Sequence, residues 1–302
     1  MIAVDLFAGA GGSSTGLASA GITVAAAVNH WPRAVETHSR AHPGTVHHCE
    51  DAAILDPTTL PAHDLLWASP SCTGHTRARG VDRPHHDTAR ATAWCVIRVA
   101  EIHRPRLIAV ENVPEMRAWA LWPAWTHALE CLGYTWGAHV LDAADCGVPQ
   151  ERRRLIVVAT RGRHAPALAA PSAPRIAARG CIDLDGGTWR PWASYAPASV
   201  ARIRSAIRTQ GPECLVPYYG SLSSHAGRSL DRPIGTLTTR DRYVVVRGDV
   251  ARVLTVPEML ALSGFPVGYP LAGTRRDQVM QVGNAVPPPL AAYVAGQIAG
   301  RA

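Results

Sequence analysis

Residues 2–12, IAVDLFAGAGG, decide the fold. The β-forming apolar run from Ile2 to Phe7 passes straight into a turn holding Gly9, Gly11 and Gly12, and helical spacing begins at about Ser13. A strand, a glycine turn and a helix in that order leave backbone N–H groups free at a helix N-terminus, where a carboxylate or phosphate can be held. Outward from this stretch the pattern repeats. ITVAAAV (22–28) leads to a helix through Arg40, and HDLLWAS (63–69) to a helix around Ala91 to Ile102. RLIAVEN (106–112) leads to a helix around Trp119 to Leu132, and RRRLIVVAT (152–160) closes the series. Short apolar runs separated by helices imply the α/β class, with a doubly wound, mostly parallel sheet covered on both faces. Ligands of such sheets lie beyond the carboxyl ends of the strands.

At 302 residues and 47% hydrophobic, the chain can bury one large core and a smaller second one. Its 30 basic residues, all arginine, exceed 23 acidic ones for a formal charge of +7, which favours a polyanionic partner. Seven cysteines without a C-x-x-C pair argue against a disulfide scaffold and for a reducing compartment. No export signal or membrane-length apolar run is visible, so a cytoplasmic protein is expected. From Arg163 the texture changes to the Pro/Ala-rich APALAAPSAPRIAARG (165–180), then to a weakly periodic region. Helical patterning returns in PEMLALSGF (257–265) and PPPLAAYVAGQIAG (287–300). The expected organisation is a first domain of 1–162 plus 249–302 and a smaller one over 163–248.

Three strand ends carry candidate chemistry. Beside the glycine turn, HDLLWASPSC runs out into Pro70, Ser71 and Cys72, and the following TGHTRARGVDRPHH (73–86) is too polar for a core. Its Arg77, Arg79 and Arg83 suit phosphates and would favour a thiolate at Cys72. RLIAVEN ends in Glu111, and a carboxylate after a buried strand is costly unless paired or used. His42, His47, His48 and Cys49 lie close together but lack a recognisable ligand spacing, so they read as solvated loop residues and no metal is expected. Trp189, Trp192, Tyr195, Tyr218 and Tyr219 suit either base stacking or the core of a small domain.

With CGVPQERRRLIVVA (146–159) and QVGNAVPPPLA (281–291) following in order, the chain resembles the cytosine-C5 DNA methyltransferase family from end to end. That resemblance implies a Rossmann-like class I methyltransferase domain with S-adenosylmethionine as donor and S-adenosylhomocysteine as product. It also implies double-stranded DNA as partner, a target-recognition role for 163–248 and a bacterial nucleoid-associated or phage-encoded protein; a monomer without an obligate protein partner is expected. Asp5, Phe7, Ala8, Gly9, Gly11 and Gly12 would form the donor loop, joined by Trp31, Asp51, Pro70 and Asn284. Cys72 would be the nucleophile and Glu111 the acid acting on the base. Arg152 and Arg154 would support the catalytic centre, with Asn112 and Gln150 at the flipped base. Thr76, Arg77 and Arg79 would contact DNA, and Arg240 lies in RPIGTLTTRDR (232–242), the segment that braces recognition. In two places the chain departs from the family: proline stands one position further from the nucleophile, and His30 replaces the acid that holds the donor's ribose. A neutral imidazole can accept from those hydroxyls. Other readings stay open: an altered donor such as a carboxylated adenosylmethionine, an RNA substrate, or a non-catalytic DNA-binding homologue.

Overall fold

The computed structural model describes residues 1–75, 84–164, 167–217 and 227–300. It divides into two compact units. The first comprises Met1–Ala143, Arg153–Ser172 and Ala285–Ala302; the second comprises Ala144–Arg152 and Ala173–Asn284.

The first unit is built on a seven-stranded sheet. Its strands are β1 (Ile2–Leu6), β2 (Thr23–Val28), β3 (Val46–His48), β4 (Leu65–Ala68), β5 (Leu107–Asn112), β6 (Thr135–Asp142) and β7 (Arg153–Thr160), in the order β3-β2-β1-β4-β5-β7-β6. The first five strands pair in parallel, whereas β7 runs antiparallel to both β5 and β6. The expected mostly parallel sheet is therefore present, with one reversed strand and two strands, β3 and β6, that the apolar runs did not announce. β5 is buried along its whole length, as a central strand covered on both faces must be. Helices α1 (Gly12–Ser19), α2 (Pro32–Ala41), α3 (Pro84–Ala91), α4 (Trp94–His103), α5 (Trp122–Cys131) and α9 (Pro288–Ala299) belong to this unit. One face of the sheet packs Val4, Leu66, Ile108 and Leu155 with Val96 and Val99 of α4 and Trp125 and Leu129 of α5. Elsewhere in the unit α1 and α9 meet at Gly16, where any Cβ would lie 2.3 Å from the Pro288 carbonyl oxygen and 2.6 Å from the Ala291 methyl.

In the second unit, β8 (Arg190–Pro191), β9 (Glu213–Pro217), β10 (Arg228–Ser229), β11 (Tyr243–Arg247) and β12 (Val250–Val253) form an antiparallel sheet ordered β10-β9-β11-β12-β8. Helix α6 (Pro197–Gln210) covers it with Ile203 and Ala206 against Cys214, Val216, Val244 and Ala251. Trp192 and Tyr195 pack at the edge of this core, their polar ends donating to the carbonyls of Gly248 and Ala251. Tyr218 and Tyr219 lie outside the described residues. The unit extends past residue 248 through α7 (Val256–Leu262) and α8 (Arg275–Asn284). The reason is visible in its bonding: β12 completes the small sheet, and its Arg252 makes a buried pair with Glu258 of α7 at 2.6 Å. Glu258 also closes a capping box with Thr255. Residues 249–284, expected with the large domain, are thus packed into the small one. No helix among the described residues is long and apolar enough to cross a membrane.

Candidate active site

The large sheet brings its functional loops to one edge by register. Leu6 pairs with Val28 and with Ala68, and Ala68 pairs with Val110. Phe7, Asn29 and Ser69 therefore leave their strands at the level of Glu111, the penultimate residue of β5, and β1 and β5 are separated by two strand spacings, roughly 10 Å.

At the β1 end the chain turns sharply. Phe7 (φ 60°) and Gly9 (φ 56°) are left-handed, as is Gly11 (φ 93°), the N-cap of α1. The turn is closed by Ala8 N–H donating to Val28 O at 3.1 Å and Gly11 N–H to Ala8 O at 3.0 Å. Beneath it Asp5 is fully buried; its Oδ2 accepts from Ser13 Oγ at 2.6 Å and Ser14 Oγ at 2.7 Å. Oδ1, equally buried, has no hydrogen-bond partner among the described residues. Burial outweighs the two hydroxyls and pushes the Asp5 carboxyl up to about 7. A shallow cleft lies beside the turn, lined by Ala8, Gly9, Ala27, Val28, Asn29, Val35, His38 and His47. His30 stands exposed just beyond β2 and Trp31 is half-buried, its amide donating to Asn29 Oδ1 at 3.0 Å. Asp51 is exposed and accepts from the amide of Ala53 at 2.9 Å, which turns the loop after β3.

At the β4 end Pro70, Ser71 and Cys72 are held by their neighbours. Asn112 Nδ2 donates to Pro70 O at 3.0 Å, and Thr92 Oγ1 accepts from Ser71 N–H at 3.0 Å. One turn on, Arg90 of α3 donates to Gly74 O at 2.7 Å. The Cys72 thiol is partly exposed, and none of the seven cysteines forms a disulfide. Thr76, Arg77, Arg79 and Arg83, read as DNA contacts, lie outside the described residues.

At the β5 end Glu111 is 7% exposed, and its Oε1 pairs with Arg154 Nε of β7 at 2.8 Å. Because β7 is antiparallel to β5, with Asn112 opposite Leu155, the strand that begins with the arginines delivers Arg154 to the carboxyl end of β5. Glu111, Asn112, Arg154 and the Cys72 loop thus belong to one unit.

The other arginine of the motif has different work. Arg152 is buried in the second unit and donates to the carbonyls of Leu237 and Gly283, both at 3.0 Å. Gln150, 1% exposed, donates to Ser263 Oγ at 3.2 Å and accepts from the Leu237 amide at 3.1 Å. Both side chains brace the segment around residue 237. Arg240 and Asn284 are exposed in the same unit.

The C-5 cytosine-specific DNA methylase family model matches residues 1–177 and 196–300. The chain belongs to that family. As such it is a DNA (cytosine-5-)-methyltransferase. Type II methyltransferase M1.HphI of Haemophilus parahaemolyticus is 28% identical over 316 residues, spanning 97% of this chain and 85% of the relative. M.HgiDI of Herpetosiphon aurantiacus is 29% identical over 307 residues, spanning 98% and 93%. Among solved structures, the Dnmt2 methyltransferase of S. pombe shares the fold at a TM-score of 0.69 with 18% identity, covering 100% of this chain and 98% of that one.

Sequence reasoning missed several residues around the methylase's glycine turn. Ser13 and Ser14 were passed over as the start of a helix, and His38 sat unremarked within α2. His42 and His47 are not solvated: His47 lies on β3, and both are partly buried against their neighbours. An apolar helix face interrupted by histidine at the i, i+4 positions 38 and 42 was the available signal.

Proposed function

We propose that the methylase transfers the methyl group of S-adenosylmethionine to carbon-5 of a flipped-out cytosine in duplex DNA, through a covalent adduct with Cys72. The observation that carries this reading is the grouping of the glycine turn, the Cys72 loop and the Glu111–Arg154 pair at the carboxyl edge of one sheet. When bound, the donor supplies an electrophilic sulfonium methyl group. The residues of the β1 end fit such a molecule: Asp5 Oδ1, without a partner among the described residues, suits its cationic end, and the N-terminus of α1, whose cap makes no side-chain hydrogen bond, suits its carboxylate. Phe7 and Trp31 offer faces for the adenine, His30 an acceptor for the ribose, with Ala8, Gly9, Gly11, Gly12, Asp51 and Pro70 completing the set within the first unit.

Carbon-5 of cytosine is a poor nucleophile. A Cys72 thiolate adding at carbon-6 creates an enamine whose carbon-5 can attack the methyl group. Charge then builds on the ring unless nitrogen-3 is held by an acid, the task of Glu111, whose carboxyl is oriented by Arg154. Loss of the carbon-5 proton expels Cys72 and restores the ring. A stacked base is out of reach of a thiol, so the cytosine must leave the helix, at a cost of a few kcal/mol offset by phosphate and pocket contacts. Residues 163–248 supply target recognition in this reading, with a short recognition sequence. Arg152 and Gln150 act by bracing the segment around residue 237, and Arg240, Thr76, Arg77 and Arg79 contact DNA.

The adduct is testable through the step that resolves it. DNA carrying 5-fluorocytosine at the target has no carbon-5 proton to lose, so a denaturation-resistant complex should accumulate with donor present. The Cys72→Ala protein should form none. A complex that persists in that variant, or is absent from an active wild-type enzyme, overturns the covalent route.

A further inference from the structure

A chain of side-chain hydrogen bonds runs from the buried Asp5 to the edge of the cleft beside the glycine turn. Asp5 Oδ2 meets Ser14 Oγ at 2.7 Å, Ser14 Oγ meets His38 Nε2 at 2.9 Å, and His38 Nδ1 meets His47 Nε2 at 2.8 Å. Asp5, Ser14 and His38 are at most 1% exposed, whereas His47 is partly exposed. His38 and His47 also line the cleft itself.

Donor and acceptor bookkeeping allows this chain two self-consistent settings. In one, Asp5 is a carboxylate: Ser14 donates to it, His38 Nε2–H donates to Ser14, and His47 Nε2–H donates to His38 Nδ1. In the other every bond is reversed: Asp5 carries a proton on Oδ2 and donates to Ser14, Ser14 to His38 Nε2, and His38 Nδ1–H to His47 Nε2. The second setting is the first plus one proton, taken up at His47 Nδ1 and passed inward bond by bond. Geometry thus gives a fully buried carboxyl a route to exchange its proton with water through a half-exposed histidine.

We propose that His38 is a positioning residue for the methyl donor: it sets the protonation of Asp5 through Ser14, so that binding of the donor's cationic end expels one proton from this chain. The inference rests on the assignment of the donor to the glycine turn. A cation beside Asp5 favours the carboxylate setting, and a proton on Asp5 opposes the cation. The titratable groups around the chain are few. Besides Asp5 on β1 there are His38 on α2, His42 at its C-cap, and His47 and His48 on β3, with Glu50 beside His48 at 3.6 Å, while Arg33, Glu36 and Arg40 of α2 pair with one another at its surface. β2 and α1 contribute none, and α9, which packs on α1, carries only Tyr293, bonded to Ala169 O at 2.9 Å. His42 is tied separately, to Thr15 Oγ1 at 3.1 Å. Burial lowers the pKa of His38, His42 and His47 and raises that of Asp5, so near neutral pH the titrating member is Asp5.

The test is calorimetric titration of S-adenosylmethionine into the intact enzyme at pH 6 to 8.5, in buffers of different ionisation enthalpy. The wild type should release a fraction of a proton approaching one at the acid end, and affinity should rise up to tenfold per pH unit until Asp5 is ionised. In His38→Leu, a protonated Asp5 leaves Ser14 without an acceptor, so the midpoint of that rise should fall by roughly half to one pH unit. His38→Gln, whose amide can turn either way, should restore the midpoint, and affinity at pH 8.5 should stay within about threefold in both variants. Donor binding without proton release, or a His38→Leu defect equal at every pH, overturns the proposal while leaving the donor site intact. No donor binding at any pH would overturn the assignment of the glycine turn as well.

Discussion

Glu111 and Arg154 are buried together, and their pairing makes each depend on the other. Removing one partner leaves a charge without compensation in a region shielded from water, whereas removing both leaves none. Arg154→Ala should therefore cost roughly 3–5 kcal/mol in urea-monitored unfolding, and the Arg154→Met, Glu111→Leu double variant should recover most of it, though inactive. A double variant no more stable than Arg154→Ala would show that the pair is not what holds Arg154 in place. At this scale the sequence was legible where a residue type is forced by chemistry. Glu111 falls near the end of a buried strand, where a core would reject a carboxylate, and Cys72 sits on a loop whose continuation is too polar for a core. Arg152 and Gln150 were less legible, because their motif does not reveal whether a guanidinium faces a substrate or, as in this fold, a pair of backbone carbonyls.

Among elements, the contact of α1 with α9 depends on a missing side chain. At Gly16 an added methyl would overlap the Pro288 carbonyl oxygen at 2.3 Å and the Ala291 methyl at 2.6 Å, the first of them backbone. Gly16→Ala should lower stability by roughly 1–3 kcal/mol and weaken donor binding, because α1 carries the glycine turn at its N-terminus. An unchanged melting temperature would show that α9 can shift without cost. The strands β1, β2, β4, β5 and β7 were readable as apolar runs, since central strands are hydrophobic on both faces. β3 escaped notice because three residues, two of them histidine, give no periodicity. β6 escaped because its exposed edge mixes Thr135, Gly137 and His139 among apolar residues. The antiparallel sense of β7 was not readable at all, since periodicity carries no direction. In the second unit, strands as short as β8 and β10 fell below any pattern.

For the whole molecule, pH is the variable that couples these parts. Burial lowers the His38 pKa to about 3, against 6.5 when unfolded. As pH falls below 6.5 the unfolded chain binds a proton that the folded one refuses, so this group's stability is present above 6.5 and lost towards 3. Asp5, raised to about 7, acts in the opposite sense: its contribution is fully present below 3.8 and lost as pH rises to 7. The two partly offset each other in the wild type, but a variant separates them. Relative to His38→Gln, the wild type should lose roughly 2–3 kcal/mol of stability between pH 7 and pH 4.5, measured by denaturant unfolding at each pH. A difference that does not change with pH would mean that His38 titrates normally in the fold.

The central claim is that one sulfur atom opens the pyrimidine to methylation at carbon. It is tested most directly by incubating unmodified duplex DNA with enzyme and S-adenosylmethionine, digesting to nucleosides and identifying the methylated species by mass spectrometry. The account predicts 5-methylcytosine from the wild type and none from Cys72→Ala; N4-methylcytosine, N6-methyladenine, or undiminished 5-methylcytosine from that variant would contradict it.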